Sequence, residues 1–283
     1  MKPIDIDVFG EIEMLHSPPF QIVKVLDQVN TMSFKDFRAE TMIQNDPAMA
    51  CQILKIANAP FYGWPSQIVS LQQASNLLGP GPIKNIILTT PILENDLEAF
   101  SDYNFSVKSL WRHMIITATL ALEVAELSGS HAPDECFTAG LIHDIGKIAL
   151  LVHQPKIFSI IAKKAKIEKI SLSQAGNKIL GWPISEISAY LASIWGFPEN
   201  LIEALKLGHN LNSKNGGLNK LSAVVCLSNR LANSLDYHDG WLASETSIEP
   251  WVFKALKLDQ STLNGWSPKL KETAELAATA FEN

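Results

Sequence analysis

The sequence predicts an all-α protein, and three observations support this fold class. Apolar residues recur at helical intervals along most of the chain, strict two-residue alternation is nearly absent, and Pro and Gly recur where helices would begin and end. Hydrophobic residues make up 47% of the 283 residues and charged residues 18%, so the chain is able to bury a core. We therefore expect one or two globular helical units.

Helix-start signals occur five times in the first hundred residues, as an N-cap residue, a proline at the first helical position, or both: Ser17-Pro18, Ser33, Asp46-Pro47, Ser70 and Pro82. We interpret Asp46 as the N-cap of the third helix and Asn58 as its C-terminal cap, because Pro60 disfavours a longer helix. The acidic segment 93–104 separates two helical halves. We place the boundary near residue 101, which gives subdomains 1–100 and 101–283.

The second half contains the same signals. A long helical pattern covers Val107 to Leu127, and a capping box is predicted at Ser171 with Gln174. Further helices are expected over residues 134–139, leading into 140–147, and over 201–207 and 221–235, with a polar loop at 210–219. Thr246 with Glu249 and Pro250 predicts the start of another helix, and Pro268 the start of the last.

Charge and cysteine content exclude several classes of protein. The formal net charge of −6 does not favour binding to a nucleic acid polymer, which requires a basic face. The three cysteines are far apart and form no C-x-x-C motif, as is typical of a reducing compartment. The N-terminus lacks the apolar core of a signal peptide, and no apolar run approaches the roughly 18–20 residues that span a bilayer. We expect a cytoplasmic protein without a membrane partner.

One adjacent pair, His143-Asp144, has the composition of a metal site. The two side chains diverge by about 100° in a regular helix, so they can bind one divalent ion only where the backbone bends. His113, thirty residues earlier, could supply a third ligand from an antiparallel helix, and Gly146 would permit close backbone packing behind the site. Lys147 could face a phosphate. A buried histidine also commonly bonds a backbone carbonyl, so spacing alone leaves both interpretations open.

The motifs around this pair resemble a known family. The run Gly140 to Lys147, GLIHDIGK, preceded by LWRH ending at His113, resembles the HD superfamily of metal-dependent phosphohydrolases. The N-terminal motifs NDP at 45–47, ILKIANA at 53–59, IVSL at 68–71 and LLG at 77–79 are similar to the HDOD family, a branch found in bacterial signalling proteins. The resemblance covers about residues 15–235. It implies an N-terminal subdomain of about five helices packed on an HD-type helical subdomain.

The resemblance also implies a ligand set, which this sequence only partly matches. The set is a histidine, a His-Asp pair and a distant aspartate. By position, His113, His143 and Asp144 match the first three ligands, whereas the distant aspartate falls at Asn229. Relatives with two metals carry more histidines, but residues 180–188 contain none, and only His209 remains of a His-His pair. An amide is a weaker, neutral ligand, so we expect the site to lack one carboxylate.

Three functions are consistent with these features. The leading one is a bacterial signalling protein that binds a protein partner or a small phosphate-containing ligand without efficient catalysis. The alternative is a metal-dependent phosphohydrolase, such as a nucleotide or cyclic dinucleotide phosphodiesterase. It would hold one Mn, Fe, Mg or Ni ion on His113, His143 and Asp144, with His209 and Asn229 as further donors and Lys147 as catalytic candidate. A third is an effector-binding module that uses the cleft between the helical halves. With the incomplete ligand set, the resemblance implies that a metal ion is either weakly held or absent.

Overall fold

The structure is a computed structural model that describes residues 46–58, 62–79, 83, 105–129, 132–207, 219–239, 241 and 246–282. The described residues form twelve α-helices and contain no strand, which confirms the predicted all-α class. Several predictions lie outside the described residues: the helices from Ser17-Pro18 and Ser33, the one from Pro82 apart from the helical Ile83, the boundary near residue 101, most of the loop 210–219, and His209.

The helices are numbered in chain order. Their bounds are α1 Pro47–Ala57, α2 Leu71–Leu78, α3 Val107–Leu127, α4 Pro133–Ile142, α5 Ile145–His153, α6 Pro155–Glu168, α7 Leu172–Leu180, α8 Ile184–Ile194, α9 Glu199–Leu207, α10 Lys220–Ser234, α11 Pro250–Leu256 and α12 Gln260–Glu282. The predicted bounds of α3 agree with these, and the Ser171 and Gln174 capping box is present.

Both predicted caps of α1 are confirmed. The Asp46 carboxylate accepts hydrogen bonds from two backbone N–H groups of the first turn, at 3.0 and 3.1 Å. The Asn58 side chain does more than end the helix. Its Nδ2 donates to the carbonyl oxygens of Leu54 and Ile68, both at 3.0 Å, and its Oδ1 accepts from the Ile68 N–H at 2.8 Å. Asn58 therefore fixes the chain that leads into α2.

One predicted helix start, that of the last helix, is wrong. The last helix begins at Gln260, and Pro268 lies inside it. The start is set by Asp259, whose Oδ1 accepts from the Thr262 N–H at 2.7 Å and caps the first turn. The helix before it begins at Pro250 with Glu249 as N-cap. The Glu249 carboxylate makes no cap hydrogen bond because it pairs with the buried guanidinium of Arg230 at 3.0 Å.

Helix α3 lies at the centre of the second half and packs against α4, α10 and α12. Two glycines bring neighbouring helices unusually close. A Cβ added at Gly140 would lie 2.8 Å from Ala118 Cα on α3, and one added at Gly146 would lie 2.7 Å from the Ile184 carbonyl oxygen on α8. Since no side chain fits at these distances, both contacts require glycine, and the packing role predicted for Gly146 is confirmed.

One stretch of the described chain, Pro133–His153, is long and apolar enough to cross a membrane by length and composition, although we expected none. Of its most apolar window, 83% is buried inside the protein. Its apolar residues pack in the core, and the stretch is interrupted between α4 and α5.

Candidate metal centre

The interruption between α4 and α5 places His143 and Asp144 side by side. α4 ends at Ile142 and α5 begins at Ile145, so the backbone bends at the pair, which is the condition for both side chains to bind one ion. The bend brings His143 Nε2 to 3.3 Å from Asp144 Oδ2. Asp144 is also the N-terminal flanking residue of α5, where the helix dipole favours a negative charge.

Backbone carbonyls orient both histidines. His143 Nδ1 lies 2.7 Å from the Gly140 carbonyl oxygen, and His113 Nδ1 lies 2.7 Å from the Tyr237 carbonyl oxygen. Because a carbonyl only accepts, each Nδ1 carries a proton. Gly140 thus has two functions: its lack of a side chain lets α4 approach α3, and its carbonyl sets the His143 ring.

His113 is held in its neutral form. Burial, followed by the nearby His143, lowers its pKa from 6.5 to about 4, against the opposing effect of Asp144 and Asp239. Its Nε2 is buried and makes no hydrogen bond. A neutral imidazole with a lone pair directed into a buried site is the form that binds a metal.

The structure brings the three predicted ligands together. One donor atom each from His113, His143 and Asp144 lies within 4.8 Å of the other two. His113 Nε2 is 3.9 Å from Asp144 Oδ2, and the two imidazole rings are 5.2 Å apart between centroids. Ligands about 2.0–2.2 Å from a shared ion lie roughly 3–4 Å apart, so a small contraction would suit one ion.

Lys147, one turn into α5, points its ammonium into the same place. Its Nζ lies 2.6 Å from Asp144 Oδ2 and 2.6 Å from Asp239 Oδ2, and the side chain is 2% exposed. Burial alone would lower the pKa of Lys147, but the two carboxylates outweigh burial and raise it. For Asp239, burial would raise the pKa, and the Lys147 charge outweighs burial and lowers it. An ammonium therefore bridges two carboxylates at neutral pH.

Asp239 is a second carboxylate beside the centre, and it contacts the Lys147 ammonium. It follows α10 and reaches Lys147 across 92 residues of sequence, so no local spacing links the two. The same segment, residues 235–239, also makes two contacts with α3. The Tyr237 carbonyl accepts from His113, and Arg112 stacks over the Tyr237 ring with its guanidinium carbon 5.6 Å from the centroid. The described site therefore includes a segment that the motifs did not reveal.

Asn229, which occupies the position of the distant aspartate, is buried on α10. Its Oδ1 accepts a hydrogen bond from Asn233 Nδ2 at 3.2 Å. This oxygen is the atom of the side chain that would bind a cation, and it already has a donor. The other additional donor, His209, lies outside the described residues.

The positions of the three ligands suit a metal ion, but the positive charge of Lys147 beside them does not. An ion on the two histidines would also need Asp144 Oδ2, and that oxygen is already 2.6 Å from the Lys147 ammonium. A divalent ion placed there would face a positive charge in a site of low dielectric constant. An ion must therefore displace the Lys147 ammonium from Asp144 to bind in the predicted way.

Known proteins share the sequence pattern and the fold. A curated relative, an uncharacterized protein of Treponema pallidum (strain Nichols), is 22% identical over 231 residues; the match covers 81% of this chain but only 44% of that protein. Among solved structures, the MmoQ response regulator of Methylococcus capsulatus str. Bath is 24% identical, with a TM-score of 0.69 and coverage of 90% of this chain and 98% of that one.

An HDOD domain protein from Geobacter sulfurreducens is 18% identical, with a TM-score of 0.56, and the match covers 96% of this chain and 95% of that one. At such identities the solved structures show a common fold. The family itself follows from the sequence, because a family model described as the HDOD domain matches residues 15–211, more than half of the chain. The chain therefore belongs to the HDOD domain family.

Proposed function

We propose that this protein is a bacterial, cytoplasmic signalling component that works by binding a partner and does not hydrolyse phosphate esters efficiently. One observation carries the proposal: Lys147 pairs with the carboxylate that a catalytic metal would need. Asn229 supports it, because an amide stands where the family ligand set has an aspartate. Similarity in fold to a response regulator supports a signalling role.

The partner we favour is a protein. His113, His143 and Lys147 are buried, so a phosphate-containing ligand would reach them only after part of the surrounding chain moved. A protein partner needs no such rearrangement, since it would contact the outer helix faces. The net charge of −6 argues against a nucleic acid polymer as the partner.

A metal-dependent phosphohydrolase with a reduced ligand set is the second candidate, and one observation favours it. His113 Nε2 is a buried, neutral acceptor without a hydrogen bond, and it is part of a triad that suits one ion. In this case the ion would activate water, and the two histidines and Asp144 would hold it. Mn, Fe, Mg or Ni would then co-purify with the protein in stoichiometric amount.

A turnover screen separates the two candidates. Wild-type protein and the His143→Ala variant would be incubated with nucleotides and cyclic dinucleotides in the presence of each added metal. We expect no turnover above that of the variant. Robust hydrolysis by wild type that is lost in His143→Ala would overturn the signalling proposal and support the phosphohydrolase.

A further inference from the structure

We propose that the Lys147 ammonium is the resident cation of this centre, and that Asp144 and Asp239 hold it where a divalent ion would otherwise bind. Replacing Lys147 by an uncharged side chain should then create a four-donor metal site from His113, His143 and the two aspartates. The inference names the residue that keeps metal out, and it rests on the proposed function only in requiring that the wild-type chain works without a metal.

The distances around the ammonium carry the first step. Nζ is equidistant, at 2.6 Å, from one oxygen of each carboxylate, so these two oxygens are at most 5.2 Å apart. A divalent ion between them would need about 2.0–2.2 Å to each oxygen, which requires a shift of at most about half an ångström per side chain. The ammonium and such an ion would thus occupy the same position between the two carboxylates.

The histidines carry the second step. The oxygen of Asp144 that binds Lys147 also lies 3.3 Å from His143 Nε2 and 3.9 Å from His113 Nε2. His113 Nε2 is buried without a hydrogen bond, which is costly for an acceptor and uncommon in folded proteins. The arrangement explains this cost. The histidine nitrogens and the carboxylates surround one cation, the Lys147 ammonium, and its protons are donated to the carboxylates and not to His113 Nε2.

Charge carries the third step. With Lys147 present, the two carboxylates and one ammonium leave one net negative charge among neutral groups. Without it, two buried carboxylates face each other beside the two histidines, and a divalent cation would compensate their charge. Two imidazole nitrogens and two carboxylate oxygens are a donor set that suits Mn, Fe, Ni or Zn.

The experiment compares wild type with Lys147→Met, which keeps the bulk of the side chain and removes the charge. Lys147→Arg is the matched control, because it keeps a cation near the carboxylates. Each protein would be incubated with MnCl₂ or ZnCl₂ and separated from unbound metal. Bound metal would be measured by elemental analysis, and thermal unfolding would be followed with and without EDTA.

We expect wild type and Lys147→Arg to retain only traces of metal, and their melting temperatures to be insensitive to metal and to EDTA. Lys147→Met should retain one ion per chain and melt at a higher temperature with metal than with EDTA. Adding Asp239→Asn to Lys147→Met should reduce both effects, because it replaces a charged carboxylate donor by a weaker, neutral amide.

Two results would overturn the proposal. The first is a stoichiometric ion in wild type with Lys147 intact. The second is a folded Lys147→Met protein that binds no more metal than wild type. If Lys147→Met does not fold, the metal content and EDTA response of wild type decide alone. These results are distinct from failure of the proposed function, which only hydrolysis by wild type would overturn. A wild-type protein that binds metal but is inactive would overturn the resident-cation proposal alone.

Discussion

Replacing Asp239 by Asn tests whether the charge of this residue stabilises the fold through Lys147. The substitution keeps the size of the side chain and an oxygen that can accept from Nζ, and it removes the negative charge. The matched control is Asp236→Asn in the same segment. Asp236 is 96% exposed and has a φ of 65°, a left-handed conformation that Asn tolerates well.

The structure gives the magnitude. At an effective dielectric constant of about 20, opposite charges 2.6 Å apart attract by about 6 kcal/mol. The Asp144 and Asp239 oxygens are at most 5.2 Å apart, twice the 2.6 Å distance, and repel by at least about 3 kcal/mol. The difference is about 3 kcal/mol, and the remaining hydrogen bond lowers the expected loss to about 2–3 kcal/mol.

The assay is urea unfolding in EDTA at pH 7, followed by circular dichroism. Asp239→Asn should lower the free energy of unfolding by about 2–3 kcal/mol, whereas Asp236→Asn should change it by less than about 0.5 kcal/mol. Because Asp239 has a lowered pKa in the folded protein, its contribution is present above the usual carboxyl pKa of 3.8 and is lost as the pH falls through the folded value. Equal losses in the two variants would refute the ion-pair reasoning.

Three further predictions use the same unfolding assay. Gly146→Ala should destabilise by about 2 kcal/mol, because its Cβ would lie 2.7 Å from a carbonyl oxygen, whereas Gly265→Ala, with open space around it, should stabilise by up to about 1 kcal/mol. Equal effects would argue against close packing. Between pH 6.5 and 4, the free energy of unfolding of wild type should fall by about 3 kcal/mol more than that of His113→Asn. In this range His113 takes up a proton in the unfolded chain, whereas its lowered pKa keeps it neutral in the folded protein. Parallel pH profiles of the two proteins would contradict the lowered pKa. Asn58→Ala should cost about 2 kcal/mol through three lost hydrogen bonds, and Asn200→Ala, with one bond of 3.4 Å, less than about 1 kcal/mol; similar losses would show that the Asn58 bonds contribute little.

Local signals predicted the helices well where capping is decided by neighbours in sequence. Asp46 and the Ser171 capping box bond residues two or three positions away, so the sequence contains both partners. The helix start at Pro250 was predicted, but the sequence does not show that the Glu249 carboxylate pairs with Arg230, 19 residues away, instead of capping the helix. The prediction for the last helix is wrong because proline is typical of a first turn, whereas the Asp259 cap starts this helix before Pro268.

The site shows the same division. The meeting of His113 with His143-Asp144 was predictable because a motif and a helical hairpin connect them. Asp239 was not, since no residue near it in sequence indicates that its carboxylate reaches a lysine 92 positions earlier. The role of Lys147 could not be predicted either, because the local sequence is the same whether the lysine faces a phosphate or is buried between two carboxylates.

The segment after α10 has a consequence for the order of folding. His113 and Tyr237 are 124 residues apart in sequence, and Lys147 and Asp239 are 92 apart, whereas α3, α4 and α5 are consecutive. Contacts between distant residues require the closure of long loops and form more slowly than contacts within a hairpin. The hairpin of α3 and α4 should therefore assemble first, with Lys147 paired only to Asp144, and residues 235–239 should close the centre as a late step.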